Sequence, residues 1–452
     1  MAKEAALYRT IWRWHFYAGL LVMPIILILS VSGAIYLFKP QIDQWEERNF
    51  RGLPVDGSVS PDRQLSAALV ANPGAGFHAY RLPELPGDAA MIHLSRPGGD
   101  GMVDVFVSPQ GKVLGSLDPE TRIAPTIARF HGSLMIGKLG DWVVELAASW
   151  AIVMILTGLY LWWPDGRGLA GVLWPRLHLG GRAALRDLHA VTGFWVSGLA
   201  LVLLLTGLPW ASVWGDAFRM VRTELGMMQG PQNWKTGSAD PHAEHDHKAM
   251  AKNHAVTHHD HHKPGQMSLT YVVAKARGER MAFPVLVLPP GAQQAFGPPT
   301  GNVWTVKSDT QNRPRARSVD YDPVSGREVA RRDFADKHPI DRVVNYGIAW
   351  HEGQLLGAFN QIVGVLTALM LVTLSVSGFI MWRRRKPEGL LGAPPPASAK
   401  ARGVAAIVLL LAALLPMLAA SLILLWVAER LVLSRVPPAA RWLGLDAASL
   451  TR

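Results

Sequence analysis

Five stretches of the chain are long, apolar and almost free of charge: residues 16–38, 142–163, 190–214, 355–382 and 404–428. A hydrocarbon core about 30 Å thick is crossed by roughly 20 apolar residues in a helix, so each stretch predicts a membrane-spanning helix. The order that follows is a first helix within 1–38, a hydrophilic segment 39–141, a helix 142–163, a loop 164–188 and a helix 189–214. After these come a second hydrophilic segment 215–354, a helix 355–382, a basic loop 383–403, a fifth helix 404–428 and a tail 429–452. The first apolar run exceeds the roughly 7–15 residues of a signal-peptide core and no small-residue cleavage site follows it, so it is expected to stay as an anchor.

The two hydrophilic segments change period. VDVFVSPQGKVLG near residue 103 and VDYDPVSGREVA near residue 319 both read as strand, tight turn with Gly, strand. SPDRQLSAALVA has the start and spacing of a short amphipathic helix with Ser60 as its cap, and extended segments follow around Ala79 and Met91. Each segment is therefore expected to fold as a small α+β unit.

The apolar stretches repeat. His15, Gly19 and Gly33 match His189, Gly193 and Gly207 in spacing, and His131, Gly137 and Gly158 match His351, Gly357 and Gly378. Two coincident spacings point to two copies of one plan, helix, hydrophilic domain, helix, with the fifth stretch added. The predicted fold is a membrane helical bundle of four core helices in two pseudo-repeats, a fifth carboxyl-terminal helix and two small α+β domains outside the membrane.

Charge sets the orientation. Only 17% of residues are charged, and the formal net charge is +11. The amino terminus, loop 164–188 and loop 383–403 together carry thirteen Lys or Arg against four Asp or Glu, with Arg383, Arg384, Arg385 and Lys386 as the densest run. The positive-inside rule thus accounts for much of the excess without nucleic acid. It places the amino terminus in the cytoplasm and the two domains in the periplasm of a bacterial inner membrane, in contact with the lipid bilayer. With five crossings the tail falls on the periplasmic side. The chain has no Cys, which excludes disulfides, thiolate ligands, iron–sulfur clusters and c-type haem attachment.

Ionisable residues at membrane segments are functional candidates by default. Neutral imidazole is a common iron ligand, and b-type haem needs two axial His with an apolar slot between helices. Pseudo-twofold symmetry pairs His15 with His189 and His131 with His351, giving two bis-His haem b sites. Gly19 and Gly193, on the same helix face as the first pair, leave room for a flat macrocycle. The second pair is harder to place, because twenty-seven residues of continuous helix from His131 to Gly158 would span about 40 Å. The competing reading makes all four interfacial residues beside Trp and Phe. Glu145, the only acid inside a span, is expected near the periplasmic interface.

Between Pro241 and Pro264 stand His242, His245, His247, His254, His258, His259, His261 and His262, with Asp246 and Asp260 among them. This composition suits capture of Fe, Cu, Zn or Ni by interchangeable ligands, or else a solvated linker.

With these motifs the chain resembles the PepSY-associated transmembrane family, which includes iron-regulated membrane proteins and siderophore–iron reductases. The resemblance covers roughly residues 8–386 and rests on WHFYAG and LSVSG, FHGSLMIGKLG and LTGLYLWW, RDLHAVTGFW and LTG, and WHEGQLLGAFN with LSVSGFIMWRRR. It implies PepSY-like periplasmic domains, haem on the helix-borne His, and electron transfer from a quinol or cytoplasmic reductase to a ferric-siderophore or other metal complex. Two other classes remain open at this stage: metal uptake or delivery through the His-rich loop, and a non-redox regulatory or assembly protein whose helices are only anchors.

Overall fold

A computed structural model describes residues 2–99, 101–163, 169–227, 266–294, 299–395 and 402–445. The described α-helices are α1 (Ala2–Tyr36), α2 (Lys39–Glu46), α3 (Pro61–Ala71), α4 (Ile123–Ser133), α5 (Lys138–Trp162), α6 (Gly181–Gly207), α7 (Ser212–Glu224), α8 (Leu269–Gly278), α9 (Pro339–His351), α10 (Ala358–Arg385), α11 (Arg402–Leu414), α12 (Pro416–Leu431) and α13 (Pro437–Leu443). The strands are β1 (Gly76–Arg81), β2 (Ala90–Ser95), β3 (Met102–Val107), β4 (Val113–Leu117), β5 (Val285–Leu288), β6 (Trp304–Ser308), β7 (Ser318–Tyr321) and β8 (Glu328–Arg332). Two units result: a helical one, Met1–Ala34, Phe130–Arg219 and Ile362–Arg452, and a sheet one, Ile35–Arg129 and Met220–Gln361.

In the helical unit, four helices are long and apolar enough to cross a membrane: Ala5–Tyr36, Lys138–Trp162, Gly181–Trp210 and Ala358–Arg385. Large side chains such as Leu21, Leu205 and Phe379 lie exposed on them, as hydrocarbon contact requires. Polar groups in such surroundings must be satisfied internally. Accordingly the hydroxyls of Ser30, Thr206 and Thr367 donate to carbonyls one turn back in their own helices. Glu145 is buried, and its carboxylate accepts from the backbone N–H groups of Val213 at 2.9 Å and Trp214 at 3.0 Å. It closes the first turn of α7, whose N–H groups have no helical partner.

The fifth apolar stretch departs from the single straight helix expected of it. It breaks at Leu415 into α11 and α12, which meet at 120°. Pro416 has no N–H to donate and its ring clashes with the preceding turn. The carbonyl of Leu414, beside the break, accepts from the Trp214 indole N–H at 3.0 Å, and Trp150 donates to Ser421 at 3.0 Å. Leu415 and Leu418 bury against Ile152 and Leu208. Beyond the bend, α13 returns to the amino-terminal part of α1. Arg13 donates to the carbonyl of Gly444 at 2.8 Å, Tyr17 to that of Leu443 at 2.5 Å, and the Leu391 N–H to that of Trp442 at 2.9 Å.

In the sheet unit the expected elements form: Ser60 caps α3, and the β3–β4 and β7–β8 hairpins turn at Gly111 and Gly326, both at positive φ. The two hydrophilic segments do not stand as independent domains. They share one antiparallel sheet ordered β4-β3-β2-β1-β5-β6-β7-β8, joined where Tyr80 faces Val287 and Arg81 faces Leu286. Pairing β1 with β5 removes two exposed edges that would otherwise invite association. Helices α3 and α8 cover one face over a single core that includes Tyr80, Ile92, Val105, Val287, Val306 and Val319. Asp62 of α3 ties the halves together, accepting from the N–H groups of Leu269 and Thr270 at the start of α8, both at 3.0 Å.

Candidate functional site

His15 on α1 and His189 on α6 come together in the helical unit, with ring centroids 6.5 Å apart and planes at 87°. Two imidazoles on opposite sides of one metal ion, each bonded at about 2.0–2.1 Å through nitrogen, have centroids about 6.3 Å apart. The observed centroid spacing is close to that figure.

Each ring is oriented by a hydroxyl on the helix that its own repeat supplies. His15 Nδ1 lies 3.0 Å from Thr157 Oγ on α5, and His189 Nδ1 lies 3.0 Å from Ser377 Oγ on α10. Thr157 Oγ already donates to the Val153 carbonyl at 2.8 Å, and Ser377 Oγ to the Leu374 carbonyl at 3.2 Å. A hydroxyl has one proton. Its oxygen therefore accepts from the imidazole Nδ1–H, leaving the lone pair on Nε2. A metal-ligating His characteristically has its other ring nitrogen fixed in this way.

A glycine follows each hydroxyl. A Cβ built on Gly158 would stand 3.2 Å from His15 Cε1, and one on Gly378 would stand 3.3 Å from His189 Cε1. These are the glycines that let the rings approach the neighbouring helices. At Gly19 and Gly193, predicted to make room for a macrocycle, an added Cβ would stand 3.5 Å from Met154 Cε and 3.6 Å from Leu374 Cδ2. Those two side chains come from the α5 and α10 turns that precede the hydroxyls.

His131, near the end of α4, has the same surroundings: its Nδ1 is 3.0 Å from Ser32 Oγ, which donates to the Ile28 carbonyl at 2.8 Å, and a Cβ on Gly33 would be 3.1 Å from its Cε1. The expected continuous helix from His131 does not exist. Leu134, Met135 and Gly137 adopt positive φ between α4 and α5, and Gly140 sits where a Cβ would meet the Ser133 carbonyl at 1.8 Å. This turn removes the length that made His131 hard to place. His351 is the last residue of α9 in the sheet unit, with a comparable break at Gly353 and Gly357 before α10.

The eight histidines between 241 and 264 fall outside the described residues. Among the described residues, no group of three or more His, Asp or Glu is arranged to hold a metal ion. Sequence reasoning missed Thr157, Ser377 and Ser32. The signal that marks them is a Ser or Thr directly before a repeated Gly, legible in LTG and SVSG.

A family model described as the PepSY-associated TM region matches residues 12–385. No curated protein matches the chain.

Proposed function

The chain belongs to the PepSY-associated transmembrane family, and on that premise we propose that it is a haem b-containing oxidoreductase of a bacterial inner membrane. It moves electrons from the side carrying the amino terminus to a ferric-siderophore or other metal complex outside. The observation that supports this reading most is the His15–His189 spacing of 6.5 Å with both Nδ1 atoms occupied by hydroxyl partners.

Haem b bound between two such imidazoles supplies a one-electron Fe(III)/Fe(II) couple. The chain's own residues do the rest. His15 and His189 would hold the haem iron through Nε2. Thr157 and Ser377 hold both rings in the tautomer that leaves this nitrogen free. Gly158 and Gly378 keep the helices close enough for those hydroxyls to reach, and the apolar walls of α1, α5, α6 and α10 keep water from the rings. His131, with Ser32 and Gly33, offers a further ligand of the same kind.

Reduction weakens the grip of hard oxygen ligands on iron, so this activity needs no catalytic acid, base or nucleophile in the protein. The test is electron transfer across a sealed bilayer. Proteoliposomes loaded with a reductant should reduce external ferric chelate, read as a coloured Fe(II) complex, when they contain wild-type protein. His15→Ala and His189→Ala should each fall to the rate of protein-free vesicles. Equal rates in all three proteins would overturn the reading.

A further inference from the structure

The strands that bury one face under α3 and α8 present their alternate residues to a cavity of about 1400 Å³ in the sheet unit. Its two halves come from the two repeats and carry charge differently. On the β1–β4 side the cations are neutralised. Arg81 makes a two-pronged bond to Glu47, Arg122 pairs with Asp43, Glu46 and Glu47, and Arg51 meets Glu84 and Asp88.

The β5–β8 side is otherwise. Lys307, Arg313, Arg315, Arg317, Arg332 and Lys337 line it, against Asp309 and Asp320. Asp320 is held by Arg332 and accepts from Thr305 at 2.8 Å, and Arg317 is paired with Asp333. Arg313 lies 3.8 Å from Glu352. Lys307, Arg315 and Lys337 make no side-chain hydrogen bond or ion pair among the described residues.

The same positions differ between the repeats. His93 opposes Asp104 in the β2–β3 register where Thr305 opposes Asp320 in β6–β7. The second half of the cavity thus carries six cations against two carboxylates in its lining. Burial, with the neighbouring Arg313 guanidinium, pushes the Lys337 ammonium down to about 8, only partly opposed by Asp341. A cationic cluster of this kind is stabilised by an anion with several oxygens, because each charge-assisted bond relieves the repulsion as well as adding its own attraction.

We propose that the half of this cavity around Lys307, Arg313, Arg315 and Lys337 binds a polyanionic carboxylate chelate of ferric iron, in preference to a cationic hydroxamate chelate. The inference rests on the ferric-complex reading above and deepens it by naming the charge class of the substrate.

Gallium(III) citrate tests it, since Ga(III) mimics the shape and charge of Fe(III) and is not reduced under these conditions. The full chain in detergent is titrated calorimetrically with Ga(III) citrate and with a cationic Ga(III) trihydroxamate. Wild type should bind the citrate complex more tightly, with affinity falling as salt is raised. Lys307→Gln, Arg315→Gln and Lys337→Gln should each weaken citrate binding by about tenfold. Arg48→Gln, at an exposed residue stacked on Trp45 outside the cavity, should leave it unchanged. Equal affinity for the two chelates, no binding, or the wild-type constant in all three cavity variants would overturn the proposal. A protein that binds gallium citrate but carries no haem keeps the site and loses the redox reading. A haem-loaded protein blind to gallium citrate does the reverse.

Discussion

At the scale of single residues the site depends on hydroxyls as much as on histidines. Thr157 and Ser377 each use their proton on a helix carbonyl and accept from an imidazole. Thr157→Val and Ser377→Ala remove that acceptor while nearly keeping volume, and outer-shell partners of this kind are worth roughly 10–100-fold in metal affinity. Haem retention on dilution of each variant should fall by about that factor. Ser375→Ala, two residues from Ser377, removes a hydroxyl that bonds only its own helix at Leu371 and should retain haem like wild type. Equal retention by all three would show that the hydroxyls do not position the ligands. The histidines were legible in the sequence because their spacing to Gly repeats. The hydroxyls were not, because Ser and Thr recur throughout these apolar runs, at Ser30, Thr367 and Thr373 among others, and only the fold separates those that bond their own helix from those that also hold a ring.

At the scale of elements, hydropathy located the four long helices, and turn chemistry at Gly111 and Gly326 located the two hairpins. It failed where an element's partner is distant or where a break is short. Nothing in GFHAYR or VLVL marks that β1 and β5, about 200 residues apart, form one ladder. The fifth apolar stretch reads as one helix if its single Pro is passed over, yet Pro416 and the Trp214 indole divide it at 120°. With Leu443 of α13 and the following Gly444 held by Tyr17 and Arg13, the expected outcome is that the stretch enters and returns on one side of the membrane, the amino-terminal side. The absence of Cys makes this directly measurable. A single cysteine at Ser449 should be labelled by a membrane-impermeant maleimide only after the membrane of intact spheroplasts is opened, as one placed at Ala5 should be. Labelling of the Ser449 cysteine in sealed spheroplasts would establish a fifth crossing instead.

At the scale of the whole molecule, a duplicated plan explains both units. Duplication supplies His15 and His189 from equivalent helices, each braced by the second helix of its own repeat, and it supplies eight strands from two sets of four. Divergence between the copies then differentiates them, as the neutralised and cationic halves of the sheet cavity illustrate. The chain's place in its family was readable from the helix motifs over roughly residues 8–386, and the family model matches residues 12–385. The continuous sheet was not, because strand pairing across the repeats leaves no periodic trace. The central proposal is that His15 and His189 together would hold one haem. The most direct measurement is the visible spectrum of the purified protein, made with haem supplied, before and after dithionite. Wild type should show the sharp reduced bands of six-coordinate bis-imidazole haem, and His15→Ala and His189→Ala should each lose the same component. A folded, colourless wild type, or spectra unaltered in both variants, would contradict the account.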